Sequence, residues 1–152
     1  MRNVIVGIGN DFRGDDGARI AAARLLQKSA SSGVEVIELN GEVTGMLDHL
    51  DDCDTLIVID ATRSQSPPGT IHRFDASREP LPDDRSLRST HGMGIGSVIE
   101  IARAQDVLPP RVLVFGIEGA TFEHGAPLTP SVENAVKKLV KEIGRTLGAP
   151  EV

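Results

Sequence analysis

Short apolar runs alternate with helix-type segments along this chain, and this alternation constrains the fold more than any other feature. Runs rich in β-branched residues predict strands at 3–8, 34–39, 55–60, 70–74 and 112–117. Helical patterns lie between and after them, at 18–28, 43–50, 97–105 and 130–147. A polar, proline-containing stretch at 75–90 predicts a long loop. The alternation predicts an α/β fold with three layers, in which helices flank a twisted, mostly parallel sheet.

Length and composition indicate one domain with an aliphatic core. A chain of 152 residues can build one packed core but not two independent ones, so residues 1–152 are predicted to form a single domain. With four Phe, no Trp and no Tyr, the core must consist of Val, Ile, Leu and Ala. Aromatic platforms for single-stranded nucleic acid are therefore hard to assemble.

Charge and segment lengths argue against several partners. A formal net charge of -6, without an extended basic cluster, is unsuited to a nucleic-acid backbone. No apolar segment is long enough to span a bilayer, and the first, at 4–8, is too short for a signal peptide. Cys53 is the only cysteine, so an intrachain disulfide cannot form. We expect a cytoplasmic monomer without membrane or nucleic-acid partners.

A glycine-rich turn with paired acids follows the first predicted strand, at 7–17 (GIGNDFRGDDG). It is not a dinucleotide-binding fingerprint, because Phe12 stands where the third glycine should be, and it lacks the Gly-Lys-Ser/Thr of a phosphate-binding loop. Asp15 and Asp16 would also repel a phosphate. One of them can cap the following helix, which is an ordinary structural role. A second adjacent carboxylate adds little to capping, so at least one is available for another role.

Two further polar residues stand where a ligand could bind. Asp60 ends the most apolar predicted strand, and ligands of open parallel sheets bind beyond the carboxyl ends of strands. It could instead cap the turn that follows. His91 ends the long polar loop, close to the start of a helix whose positive end favours the neutral, metal-binding ring. It could instead be an ordinary surface histidine.

These signals converge at one edge of the predicted sheet. The loops after the first and third strands, and the loop before the helix at 97–105, can all lie there. Two carboxylates and one imidazole form a mixed oxygen and nitrogen set that suits a divalent borderline metal with open positions.

Other catalytic arrangements are weaker. The sequence contains neither the Gly-x-Ser-x-Gly of a serine nucleophile nor the H-E-x-x-H of a zinc protease. Cys53 has three neighbouring aspartates, which raise a thiol pKa, so we interpret it as structural. His49 and His72 fit a helix and an edge strand and need no functional role.

The motifs together resemble the hydrogenase maturation proteases. Residues 7–17 are similar to that family's G-x-G-N-x-x-x-x-D-D/E-x-G signature, and 58–61 (VIDA) to its aspartate after the central strand. The resemblance continues in order through 68–71 (PGTI), 89–92 (STHG), 115–118 (FGIE) and 128–132 (LTPSV). It covers nearly the whole chain.

The resemblance implies a metal-dependent, aspartic-type endopeptidase that activates an enzyme precursor. Its substrate would be the precursor of a nickel–iron hydrogenase large subunit, whose C-terminal extension is removed after nickel insertion. The implied metal-binding and catalytic residues are Asp16, Asp60 and His91, with the general base unassigned. Nickel would come from the substrate, and no organic cofactor is implied. Some family members have Glu at position 16, and that longer side chain reaches farther than Asp.

Two other functions fit the same three residues. One is a stand-alone metallohydrolase of small amides or peptides that holds its own metal. The other is a nickel-binding hydrogenase chaperone that docks on the large subunit without cutting it.

Overall fold

The computed structural model describes residues 2–8, 14–29, 34–39, 43–64, 66–81, 94–120, 125 and 127–147. Its five strands are β1 (Asn3–Ile8), β2 (Val34–Leu39), β3 (Thr55–Thr62), β4 (Ile71–Asp75) and β5 (Arg111–Glu118). Its α-helices are α1 (Ala18–Ser29), α2 (Ile95–Ala104) and α3 (Pro130–Thr146), and two 3-10 helices span Gly14–Gly17 and Val43–His49. None of these helices is both long and apolar enough to cross a membrane.

The strands form one sheet in the order β2-β1-β3-β5-β4. The strands β2, β1, β3 and β5 run parallel to one another, and β4 pairs with β5 in the antiparallel direction at one edge of the sheet. All eight residues of β3 are buried, since this strand has a neighbour on each side and a helical layer on each face. The mostly parallel sheet and the edge position of the fourth strand confirm the prediction.

Two apolar clusters cover the two faces of the sheet. On the first face, alternate residues of the central strands, among them Val58 and Val114, pack with α2 and with Met46 of the second 3-10 helix. On the second face, the intervening residues, among them Ile59 and Ile117, pack with α1 and α3. This alternation is the two-residue period of a strand that is covered on both sides. It confirms the three-layer arrangement.

The observed bounds differ from the predicted ones mainly at the polar ends of elements. β3 continues through Ala61 and Thr62, because these residues pair with Ile117 and Glu118 of β5 although the apolar run has ended. α2 begins at Ile95, two residues earlier than predicted, with Gly94 as its N-cap. The segment at 43–50 is a 3-10 helix. Thr129 precedes Pro130 at the start of α3 as predicted, but its side chain makes no capping hydrogen bond.

Candidate functional site at the carboxyl edge of the sheet

Asp60 lies near the carboxyl end of the central strand, two residues before Thr62 and not at the last position as predicted. It pairs in register with Gly116 of β5, and its side chain is only 2% exposed. On the other side, the pairing of β1 with β3 ends at Gly7 and Ile59, so Asp60 extends one residue beyond it. Asp60 lies two residues after Val58 and therefore shares the face that packs with α2. A carboxylate in this position is shielded by protein yet close to the end of the sheet.

Asp16 lies in the 3-10 helix Gly14–Gly17, between β1 and α1. This short helix contacts β3, so its backbone is held beside the strand that carries Asp60. Gly14 has a φ of 56°, a left-handed conformation that glycine adopts without strain. The side chains of Asp15 and Asp16 lie outside what the structure describes, so the capping and metal-binding interpretations both stay predictions.

His91 lies outside the described residues, in the segment before α2. The first described residue after it is Gly94, and α2 then packs Ile95, Val98 and Ile99 on the face of the sheet that Asp60 shares. His91 is therefore only three residues before the N-cap of the helix that packs on this face. Within the described residues, no three His, Cys, Asp or Glu side chains are grouped closely enough to hold a metal ion. His91 and the Asp16 side chain lie outside the described residues, so the metal site stays a prediction.

A buried polar cluster of Glu118, Thr62, Ser64 and His72 lies near the same edge of the sheet as Asp60, and the sequence did not predict it as functional. Glu118 ends β5 and is 1% exposed. Its Oε2 accepts a hydrogen bond from the Ser64 backbone N–H at 2.7 Å, and its Oε1 accepts one from Thr62 Oγ1 at 3.2 Å. The Ser64 hydroxyl also donates to Oε1 at 2.5 Å, and His72 Nε2 lies 3.3 Å from the same oxygen. His72, interpreted from the sequence as needing no role, thus belongs to this cluster.

The signal for Glu118 was the same as the signal for Asp60. Each is an acid at the end of an apolar parallel strand, and neighbouring parallel strands end at one edge of the sheet. Glu118 is also the last residue of the motif at 115–118 that resembles the family.

Gly116 leaves no room for a side chain between Asp60 and His72. A Cβ built on Gly116 would lie 2.5 Å from Thr62 Cγ2 and 3.6 Å from His72 Cβ. These positions share one face, since strand residues two apart point the same way and Asp60, Gly116 and His72 are in register. The polar row at this edge is therefore packed around a glycine.

Cys53 is structural, as its sequence context indicated. It is 6% exposed, and its Sγ donates to the Thr55 carbonyl oxygen at 3.2 Å. Burial is the main cause that raises the pKa of the thiol, and Asp54 adds to it, although Arg2 acts in the opposite direction. A buried, protonated thiol is a poor nucleophile.

Comparisons with known proteins identify the family. The model of the hydrogenase maturation protease family matches residues 20–146. The hydrogenase expression/formation protein HupD of Thiocapsa roseopersicina is 25% identical over 141 residues, which cover 91% of this chain and 64% of HupD. The hydrogenase 2 maturation protease of Escherichia coli K12 is 27% identical over 148 residues, which cover 94% of this chain and 88% of the relative.

Solved structures agree. The [NiFe] hydrogenase maturation protease HybD from Thermococcus kodakarensis superposes with a TM-score of 0.78 at 28% identity, over 97% of this chain and 99% of that one. The E. coli hydrogenase maturating endopeptidase HybD superposes with a TM-score of 0.79 over 97% of this chain and 92% of its own, and at 20% identity it supports the fold alone.

The chain belongs to the hydrogenase maturation protease family, because the family model covers most of its length. Membership confirms the predicted class, a hydrolase of peptide bonds that acts in hydrogenase maturation. It also confirms the α/β fold, which the solved relatives share.

Proposed function

We propose that this protein removes the C-terminal extension from the precursor of a nickel–iron hydrogenase large subunit after nickel insertion. The observation that carries the proposal is the placement of Asp60, a 2% exposed carboxylate at the carboxyl end of the central strand, beside the 3-10 helix that carries Asp16. A shielded carboxylate at a strand end is suited to a metal centre that a substrate brings with it. Family membership supports the peptidase activity.

In this proposal, Asp16, Asp60 and His91 engage the nickel of the bound precursor and so hold the scissile peptide bond beside them. Fixing the bond next to its attacking group lowers the entropic cost of reaction. A water molecule, polarised in the site or deprotonated by one of the carboxylates acting as general base, would attack the scissile carbonyl. The base is left unassigned among these groups. Recognition of nickel ties cleavage to a completed metal centre.

We further propose that the protein acts in the cytoplasm, as a monomer and without an organic cofactor. The chain has a single cysteine, Cys53, and does not depend on a disulfide, which is compatible with a reducing compartment. The expected partner is the large-subunit precursor alone.

The test is intact-mass spectrometry of a nickel-loaded large-subunit precursor after incubation with the protein, beside a nickel-free precursor. We expect loss of a C-terminal peptide from the nickel-loaded sample only. Loss from both samples would refute recognition through nickel. Tight binding with an unchanged precursor mass would favour the chaperone, and metal that stays with the purified protein through dialysis would favour the stand-alone hydrolase.

Variants then test the site. Asp16→Asn, Asp60→Asn and His91→Ala are each expected to abolish processing while the protein stays folded. Asp106→Asn is the matched control, because Asp106 is an exposed aspartate beyond the far end of α2, and Asn tolerates its φ of 58°. Full processing by both Asp16→Asn and His91→Ala would refute the assignment of these residues to the nickel-binding site.

A further inference from the structure

Glu118 holds the connection between β3 and β4 from the inside. Its carboxylate accepts hydrogen bonds from the Thr62 hydroxyl and from both the backbone N–H and the hydroxyl of Ser64. Its backbone binds the other end of the same connection, where its carbonyl accepts from Gly69 N at 2.8 Å and its N–H donates to the Thr70 carbonyl at 2.9 Å. One residue therefore fixes where the chain leaves β3 and where it enters β4.

The α3 helix closes the third side of this connection. Gly69 has a φ of 86°, and a Cβ there would lie 2.7 Å from the backbone oxygen of Ser131, in the first turn of α3. The Gly69 end of the connection therefore packs directly against α3.

The segment that donates hydrogen bonds to the Glu118 carboxylate begins at Thr62, two residues after Asp60. Both carboxylate oxygens of Glu118 are occupied by hydroxyl, amide and imidazole groups of the protein, so it contacts the protein and not a substrate. Burying a carboxylate costs free energy unless hydrogen bonds compensate for the lost water. Here its hydrogen-bonding partners come from the end of β3 that carries Asp60, from the connection and from the edge strand β4.

We propose that Glu118 is a positioning residue of the processing reaction, which keeps the Asp60 end of β3 and the following connection in the geometry that the cleavage step needs. The proposal rests on the proposed function. Its operative feature is the hydrogen-bonding geometry of the side chain, and the negative charge is dispensable. A glutamine can keep that geometry, because its oxygen can accept from Ser64 N–H while its amide donates to the Thr62 and Ser64 hydroxyls, which rotate to accept.

Three variants separate positioning from a general loss of stability. Glu118→Ala is expected to lower the turnover number for nickel-loaded precursor by about tenfold or more, with KM little changed, because misplaced reacting groups cost turnover. Glu118→Gln is expected to restore turnover to within about threefold of the wild type, as an intact hydrogen-bond geometry requires. Val112→Ala is the control, since Val112 is fully buried at the opposite end of the same strand and its truncation weakens the core away from the site.

All assays are run at a temperature where circular dichroism shows each variant folded. Val112→Ala is expected to turn over like the wild type. Equal losses in Glu118→Ala and Val112→Ala would overturn the proposal, because stability alone would then explain both. A Glu118→Gln variant as slow as Glu118→Ala would overturn it too, because the charge would then be the operative feature.

Amide hydrogen exchange tests the same inference without a precursor. The Ser64 amide is expected to be protected in the wild type and in Glu118→Gln, and to lose about tenfold or more of its protection in Glu118→Ala, because local opening controls exchange. Unchanged exchange at Ser64 would overturn the proposal. If the wild type fails to process the precursor while Ser64 exchange responds as expected, the proposed function fails and the structural role of Glu118 stands.

Discussion

Replacing Gly116 by Ala should destabilise the protein through one identifiable contact. The new Cβ would lie 2.5 Å from Thr62 Cγ2, far inside van der Waals contact, and Thr62 is fully buried between its neighbours. Overpacking of this kind costs about 1–3 kcal/mol of unfolding free energy. For a chain of this size, 1 kcal/mol corresponds to about 2–4 °C in Tm, so a fall of several degrees is expected.

A second substitution isolates that contact. Thr62→Ser removes the Cγ2 methyl group while it keeps the hydroxyl that donates to Glu118, at a cost of about 1 kcal/mol for the buried methyl. In this background the next nearest atoms to the new Cβ are His72 Cβ at 3.6 Å and Thr62 Cβ at 3.7 Å, which are ordinary contacts. Gly116→Ala should then be neutral or stabilising by about 0.4–1 kcal/mol, since alanine restricts the unfolded chain.

The assay is urea unfolding of the four proteins, followed by circular dichroism because the chain has no Trp and no Tyr for fluorescence. The double-mutant cycle should give a coupling free energy of about 1–3 kcal/mol between the two sites. The reasoning is refuted if Gly116→Ala costs nothing in the wild type, or if it costs the same in the Thr62→Ser background.

Three other predictions concern single groups. The pKa of the Cys53 thiol is raised mainly by burial, so the thiol stays protonated in the folded state at pH values where it ionises in the unfolded chain, and the free energy of unfolding should fall as pH rises above the unfolded thiol pKa. Cys53→Ala should reduce this fall at alkaline pH in a series of denaturation curves, and an unchanged fall would contradict the prediction. The pKa of Asp75 is lowered, chiefly by its hydrogen bond to the Ser77 side chain and then by the Ser77 backbone N–H. Ser77→Ala should therefore raise the pKa of Asp75 toward its ordinary value in a carboxyl NMR titration. An unchanged pKa would exclude the Ser77 side chain as the cause. Arg103 donates to the carbonyl oxygens of Ala76, Ser77 and Glu79, so Arg103→Met should speed hydrogen exchange across 76–81 while β1 exchanges as before, and uniform acceleration would point to global destabilisation instead.

The sequence predicted the buried elements well because their residues face apolar surroundings on both sides. β1 and β2 have the predicted bounds, since their apolar runs coincide with the paired residues. The end of β3 was predicted too early because Thr62 is held there by pairing with Glu118, a tertiary partner that the local pattern does not show. The start of α2 was predicted too late because Gly96 is a poor helix former, although this position is helical.

The candidate site was predictable only in part, for a related reason. Asp60 could be placed at the carboxyl edge, because a charged residue that ends an apolar strand has few other places to lie. The contact of His72 with Glu118 could not be predicted, because it depends on the antiparallel register of β4 against β5. Such a register is set by packing between distant segments.

The central position of β3 has a consequence for local unfolding of the sheet. Local openings of a folded protein begin where few neighbours hold a segment, and in this sheet those segments are the border strands β2 and β4. β3 can be released only when both β1 and β5 separate from it. The backbone of Asp60 should therefore exchange its amide hydrogen among the slowest in the protein. The carboxylate that we propose to engage the precursor's nickel would then keep its place when β2 or β4 transiently separates from the sheet.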